Sequence, residues 1–264
     1  MVQGSRIWKI SMSNINLQTE SGVGILTLNR GRANPINLEM MREIHKVVKQ
    51  LDEDESVQGL ILTGSPGFFS VGLDVMELVS LDEEGLDRFW REFFRLMKAL
   101  VGFKKPLICA VSGYAPAGGC VLSLCCDYVL MADGDFRIGL NEIEVGLFVP
   151  RPILDLLIAR VGQDKASQIV LDSRMLTPGQ AQRFGLVHEL CDCDELMDRA
   201  NTLIKRWLKW DAESWRKTKM ELKASILERW DQPFDDLIER IKRHWRNPGT
   251  LESLNRVVSS LKKS

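Results

Sequence analysis

The residues best equipped for chemistry lie in two short segments, Ala115-Pro116-Ala117-Gly118-Gly119-Cys120-Val121 and Gly139-Leu140-Asn141-Glu142. Paired glycines ahead of an apolar helix start let the backbone approach a ligand closely. The N–H groups at such a start have no partner inside the helix and carry partial positive charge, so an anionic oxygen is held well there. Glu142 follows a short apolar strand and is followed by Ile143, Val145 and Leu147. A carboxylate among apolar neighbours is desolvated and its pKa rises, which suits it to act as base and then as acid. A backbone anion trap beside one carboxylate is the minimum needed to move a proton next to a carbonyl, because the negative charge develops on oxygen.

The loop Phe69-Ser70-Val71-Gly72-Leu73-Asp74 offers a second donor, the Val71 N–H. It lacks the Lys and Ser/Thr that complete a phosphate loop. Glu144 rivals Glu142, since alternation in an extended stretch puts both on one face. Packing glycines and solvated loop acids leave the same letters, so the residues alone leave these roles open. His45 and His244 sit on helical stretches and His188 in a strand-like run. None accompanies a Gly-x-Ser-x-Gly elbow or another nucleophile motif, and each is read as structural or surface. Cys120 stands at a helix start where a thiol can be activated, but no base accompanies it. Cys191-Asp192-Cys193 has no second pair at zinc spacing, so no metal site is predicted.

The elements that must position these groups read as a layered α/β fold. Asn14 to Thr19 and Val23 to Asn29 flank Ser21-Gly22 as a hairpin. Asn37 caps a helix whose apolar stripe is Met40/Met41, Ile44, Val47/Val48 and Leu51. Val57 to Thr63 is a buried strand, and a turn-rich loop from Gly64 to Asp74 leads into a helix over Asp82 to Leu100. Strands at Leu107 to Val111, Tyr128 to Ala132 and Phe136 to Ile138 alternate with helices at Gly118 to Cys125, 150–161 and 163–172. Recurring strand–turn–helix units argue for layers of sheet and helix, and no Gly-rich dinucleotide fingerprint follows the first strand. From Asp194 the pattern is helical and carries five of the seven tryptophans. Phe234, Leu237, Ile238, Ile241 and Trp245 fall at helical spacing there, and such apolar helices must pack on their own core or on a neighbouring subunit. The division is an α/β core over 1–193 and a helical region over 194–264, assigned to oligomerisation and active-site cover.

Bulk properties bound the function. At 264 residues, with 45% apolar and 27% charged residues, the chain is globular and not disordered. A net charge of -1 argues against a nucleic-acid surface as the main function. The six cysteines fall mostly in apolar runs and read as buried free thiols of a reducing compartment. No apolar run is long enough to cross a bilayer. Arg6 and Lys9, with no acid before Glu20, faintly echo an organelle presequence, and Lys262-Lys263-Ser264 is not the Ser-Lys-Leu peroxisomal signal. The expected compartment is the cytoplasm for a bacterial chain and the mitochondrial matrix for a eukaryotic one.

The motifs Asn34-Pro35-Ile36-Asn37, Phe69 to Asp74, Ala115 to Cys120, Cys126-Asp127-Tyr128 and Gly139 to Glu142 with Val145-Gly146 occur in order. In them the chain resembles the enoyl-CoA hydratase/isomerase (crotonase) superfamily over nearly its full length, and most of all the Δ3,Δ2-enoyl-CoA isomerases. The resemblance implies a spiral of ββα turns and a C-terminal helical region that builds homotrimers or dimers of trimers. It implies an acyl-CoA substrate with no further cofactor, and a thioester oxygen held by the N–H groups at positions matching Val71 and Gly118. It further implies that Asn34, Ile36, Ser70, Gly72, Leu73, Asp74, Gly119, Val121, Asn141 and Phe148 border the substrate. Hydratases of this family carry two glutamates, matching Val121 and Glu142. A valine cannot position water, and the stretch Gly146-Leu147-Phe148-Val149-Pro150-Arg151-Pro152 departs from the hydratase pattern. The expectation is a 3-enoyl-CoA to 2-trans-enoyl-CoA isomerase of unsaturated fatty acid β-oxidation. The alternatives are another acyl-CoA enzyme of the superfamily (hydratase, decarboxylase or thioesterase) and a non-catalytic acyl-CoA- or RNA-binding relative.

Overall fold

The computed structural model describes residues 9–261; Arg6 and residues 262–264, read above for targeting, lie outside them. The chain opens on β1 (Lys9–Ser11) and the expected hairpin of β2 (Ile15–Glu20) and β3 (Val23–Leu28). Ser21 (φ 50°) and Gly22 (φ 79°) make its two-residue turn, a left-handed pair that matches the twist of the strands. In α1 (Leu38–Glu53) the Asn37 side chain accepts the Met40 N–H at 2.8 Å, the predicted cap. The buried stripe of α1 is the one its spacing predicts.

Three spiral turns follow. β4 (Gly59–Thr63) and β5 (Gly67–Phe68) precede α2 (Val75–Leu78) and α3 (Glu83–Val101). β6 (Leu107–Val111) and β7 (Gly113–Pro116) precede α4 (Gly118–Leu124). β8 (Tyr128–Ala132) and β9 (Ile138–Gly139) precede α5 (Arg151–Val161) and α6 (Gln163–Leu171). β10 (Met175–Leu176), α7 (Pro178–Phe184) and β11 (Glu189–Cys191) finish the sheets. The first strand of each turn joins a seven-stranded sheet, β1-β2-β3-β4-β6-β8-β11, parallel from β3 onward. The second strand joins a four-stranded sheet, β10-β9-β7-β5. This is the ββα spiral that the resemblance implies.

The central strands are buried on both faces, which explains their unbroken apolar runs. Leu60 and Leu62 of β4 enter the larger core, whereas Ile61 enters a smaller one with Ile108, Ala110 and Leu130. The remaining helices are α8 (Leu196–Trp207), α9 (Ala212–Arg229), α10 (Asp235–Trp245) and α11 (Pro248–Leu261). α8 closes the smaller core with Leu196, Ala200, Leu203 and Ile204, so the helical region begins by packing on the sheet. α10 buries Ile238, Ile241 and Trp245 in the larger core.

Four cysteines are buried as expected, but Cys191 is half-buried and Cys193 exposed. Cys191 ends β11 at the sheet edge and packs only partly against the smaller core, and Cys193 opens the short 3-10 turn that follows. All six thiols are free. Among the described residues no helix is long and apolar enough to cross a membrane.

Candidate active site

The loop after β5 is fixed by Asn34, whose side chain is wholly enclosed. Its Nδ2 donates to the carbonyls of Phe68 (3.2 Å) and Phe69 (3.1 Å), and its Oδ1 accepts the Arg30 N–H at 2.9 Å. Ser70 Oγ donates to the Asn34 carbonyl at 2.7 Å and accepts the Gly72 N–H at 3.1 Å. The Val71 N–H donates to the Ala33 carbonyl at 3.0 Å. That engagement corrects the expected role of Val71: its side chain borders the cavity, but its N–H is committed elsewhere.

The next unpaired donor is two residues on. Ile36 bridges Leu73 in parallel fashion, with Ile36 N–H to Gly72 O and Asp74 N–H to Ile36 O, each at 2.8 Å. In such a bridge the central residue points its own N–H away from its partner. The Leu73 N–H therefore faces α4, and a Cβ built on Gly118 would lie 3.1 Å from the Leu73 nitrogen. Among the described residues neither the Leu73 nor the Gly118 N–H has an acceptor. The two N–H groups stand side by side at the start of α4, at a separation set by direct backbone packing. A Cβ on Gly119 would fall 2.4 Å from the Ser70 carbonyl oxygen, so only glycine permits this approach.

Ala117, which precedes the donor Gly118, holds φ at 46°, a sparsely populated conformation for a residue with a Cβ. Its N–H donates to Gly139 O at 2.8 Å, and Ala115 N–H donates to Arg137 O at 2.9 Å. β7 and β9 thereby tie the donor turn to the strand that leads to Glu142. Glu142 lies in a tight turn, not the extended stretch that would have put Glu144 beside it. Glu144 is exposed and does not border the cavity.

The Glu142 Oε2 is buried and has no hydrogen-bond partner. Burial pushes the carboxyl up to about 7, partly offset by a hydrogen bond from its own backbone. Cys120 sits close enough for the Glu142 charge to reinforce the effect of burial, and both raise its thiol pKa, so the thiolate is disfavoured.

Glu142, Leu73 and Gly118 meet in a cavity of about 180 Å³. Val71, Val121, Asn141 and Phe148 also line it, as expected. Asn34, Ile36, Ser70, Gly72, Asp74 and Gly119 do not. They build the wall from behind: Asn34, Ile36 and Ser70 are fully enclosed, and Asp74 caps α2 and pairs with Arg30 at 2.8 Å. Other walls lay outside the sequence-based site residues, namely Trp90 and Phe93 of α3, Ile241, His244 and Trp245 of α10, and Val257 of α11. The apolar stripe of α10 was the available signal, since His244 neighbours Trp245 on it.

The site offers two neutral hydrogen-bond donors to a developing oxyanion, one carboxyl near neutrality, and apolar walls for a hydrocarbon chain. Known proteins resemble this chain in sequence and in fold. A family model for enoyl-CoA hydratase/isomerase matches residues 18–234. The mitochondrial enoyl-CoA delta isomerase 1 of Mus musculus is 31% identical over 209 residues, covering 78% of this chain and 72% of that protein. A probable enoyl-CoA hydratase of Mycobacterium leprae is 37% identical over 182 residues, covering 69% and 70%. The crystal structure of human mitochondrial delta3-delta2-enoyl-CoA isomerase superposes with a TM-score of 0.92 at 25% identity, covering 95% of this chain and 99% of that one. Matched over most of its length by sequence and by fold, the chain belongs to the enoyl-CoA hydratase/isomerase family.

Proposed function

We propose that the protein is a Δ3,Δ2-enoyl-CoA isomerase, converting 3-enoyl-CoA to 2-trans-enoyl-CoA with Glu142 as the single acid–base group. One observation carries the choice over hydration: Glu142 is the only carboxylate among the described residues that border the cavity, and Val121, which by the family resemblance matches the first glutamate of hydratases, lines it instead. Adding water requires a group to hold and deprotonate it, and an isopropyl side chain offers no hydrogen bond. Moving a double bond requires only one base that takes a proton and gives it back.

Glu142 removes the proton from C2 of the thioester, and the electron pair flows through the double bond system to the thioester oxygen. The dienolate oxygen accepts hydrogen bonds from the Leu73 and Gly118 N–H groups, each lowering the barrier by about 3 kcal/mol. The protonated Glu142 then returns its proton at C4, the double bond settles between C2 and C3, and the carboxylate is regenerated. The balance is complete without oxidant, reductant or water. A pKa near 7 fits both halves, because the group that takes the proton must also release it.

The test is turnover of 3-cis- and 3-trans-enoyl-CoA, with crotonyl-CoA hydration run alongside, by wild type and Glu142→Gln. The reading expects isomerisation in the wild type, little hydration, and a loss of about 10²- to 10⁴-fold in the variant. Hydration exceeding isomerisation overturns it. We also propose a homotrimer or a dimer of trimers, following the family resemblance. Light scattering should give a mass of three or six times the 30.0 kDa chain.

A further inference from the structure

The turn that carries Glu142 has little ladder of its own. The Glu142 carbonyl accepts the N–H groups of Val145 (3.2 Å) and Leu147 (2.8 Å), and Ile143 O accepts the Gly146 N–H at 3.0 Å. Those bonds close the turn on itself but do not fix it against the opposite wall of the cavity. Ser173, after α6, accepts the Glu144 N–H at 3.1 Å on one side, and the fixing contacts on the other side come from α10 and α11. His244 Nε2 lies 2.9 Å from the Gly146 carbonyl oxygen, and Thr250 Oγ1 donates to the same oxygen at 3.1 Å. A carbonyl only accepts, so His244 Nε2 carries the proton and donates it.

The packing around this pair is close. Gly146 has φ of 79°, and a Cβ there would come within 3.0 Å of Ser253 Cβ on α11. Thr250 is only 3% exposed. The Phe148 ring stands edge-on to the His244 ring at 5.1 Å, and the Arg240 guanidinium lies 5.9 Å from the Phe148 centroid. His244 borders the cavity, yet its Nε2 proton is committed to the turn and not to a ligand.

We propose that His244, assisted by Thr250, is a positioning residue for Glu142: the two donors clamp the Gly146 carbonyl so that the 142–147 turn holds the carboxylate between the two carbons it serves. This rests on the reading of Glu142 as the base. One carboxyl must reach C2 and C4 of the same substrate without rebuilding its backbone, and misplacement by about 1 Å costs on the order of 10²-fold in rate. The clamp also couples the acid–base group to the helices that wall the acyl chain, since the same two helices supply Trp245 and Val257.

The test uses His244→Phe, which keeps an aromatic ring and deletes the donor, His244→Gln, which restores an N–H, and Thr250→Val, which deletes the hydroxyl at constant shape. Three readouts are needed: kcat and KM on a 3-enoyl-CoA, the thermal midpoint, and hydrogen exchange across residues 142–148. His244→Phe and Thr250→Val should each lower kcat about tenfold, with KM within about twofold. Exchange in the turn should quicken at an unchanged midpoint, and His244→Gln should recover most of kcat. Unchanged kcat and exchange in both deletions overturn the clamp, as does a loss that follows the midpoint and is not rescued by glutamine. A wild type that fails to isomerise, with exchange that still responds to the deletions, keeps the clamp and removes the isomerase reading.

Discussion

Glu142 is held where its charge is costly, and that cost has a pH signature. Its carboxyl rises from an ordinary 4.5 to about 7 because burial disfavours the ionised form. Between those values the folded protein binds more protons than the unfolded chain, so this group makes stability fall as pH rises through the window. The full effect amounts to roughly 3 kcal/mol. Glu142→Gln removes it. The variant should therefore gain on wild type by up to about that amount at pH 8 relative to pH 4.5, read from denaturant midpoints at both pH values. An equal difference at the two pH values would show that the carboxyl is not desolvated. The same group sets the rate profile in the opposite sense. In the proposed mechanism only the ionised carboxylate takes the C2 proton, so kcat/KM should rise about tenfold per pH unit below neutrality and level off above about 7.

At the scale of elements, the site depends on the loop between β5 and α2 keeping the Leu73 N–H beside Gly118. Asn34 does most of that from behind the wall. Its backbone holds a left-handed φ of 52°, which asparagine tolerates better than alanine. Replacing it with alanine strands the Arg30 N–H and the Phe68 and Phe69 carbonyls, each costing about 1–3 kcal/mol where water cannot replace the partner. Asn34→Ala should lower unfolding stability by about 3 kcal/mol and kcat by at least about tenfold, measured by denaturant titration and turnover in parallel. Retained kcat in a destabilised variant would confine Asn34 to folding. This loop also marks where sequence reading stopped. The hairpin at Ser21-Gly22 and the cap Asn37 were legible because they are local, each settled within four residues of chain. The strands of the second sheet span two to four residues, too short for a period, and 64–74 accordingly read as plain loop. Choosing Leu73 over Val71 needed the pairing with Ile36, because N–H direction reverses at each residue of an extended segment and nothing local fixes the phase.

For the whole molecule, the cavity is assembled from segments spread along most of the chain: the loop at Leu73, α3, α4, the Glu142 turn, α10 and α11. Its glycine turn and carboxylate were readable as chemistry, whereas its far walls were readable only as apolar stripes that had to bury somewhere. Trp245 illustrates the difference, since its helical spacing predicts burial, and only the packing of α10 against the core puts it on the wall of this cavity. In the proposed function those walls bound the acyl chain. A cavity of about 150 Å³ holds a molecule of benzene's size, so about 180 Å³ suits an acyl chain of roughly six to eight carbons without rearrangement of α10 or α11. Catalytic efficiency on 3-hexenoyl-CoA should therefore exceed that on 3-dodecenoyl-CoA by at least about tenfold, because each methylene left outside loses about 0.8 kcal/mol of burial. Trp245→Phe keeps an aromatic ring in the core while removing part of the wall, and should shift the preference toward longer chains with kcat on hexenoyl-CoA little changed. A flat chain-length profile in wild type, or a profile that Trp245→Phe leaves unmoved, would mean that the acyl chain leaves the cavity by another path.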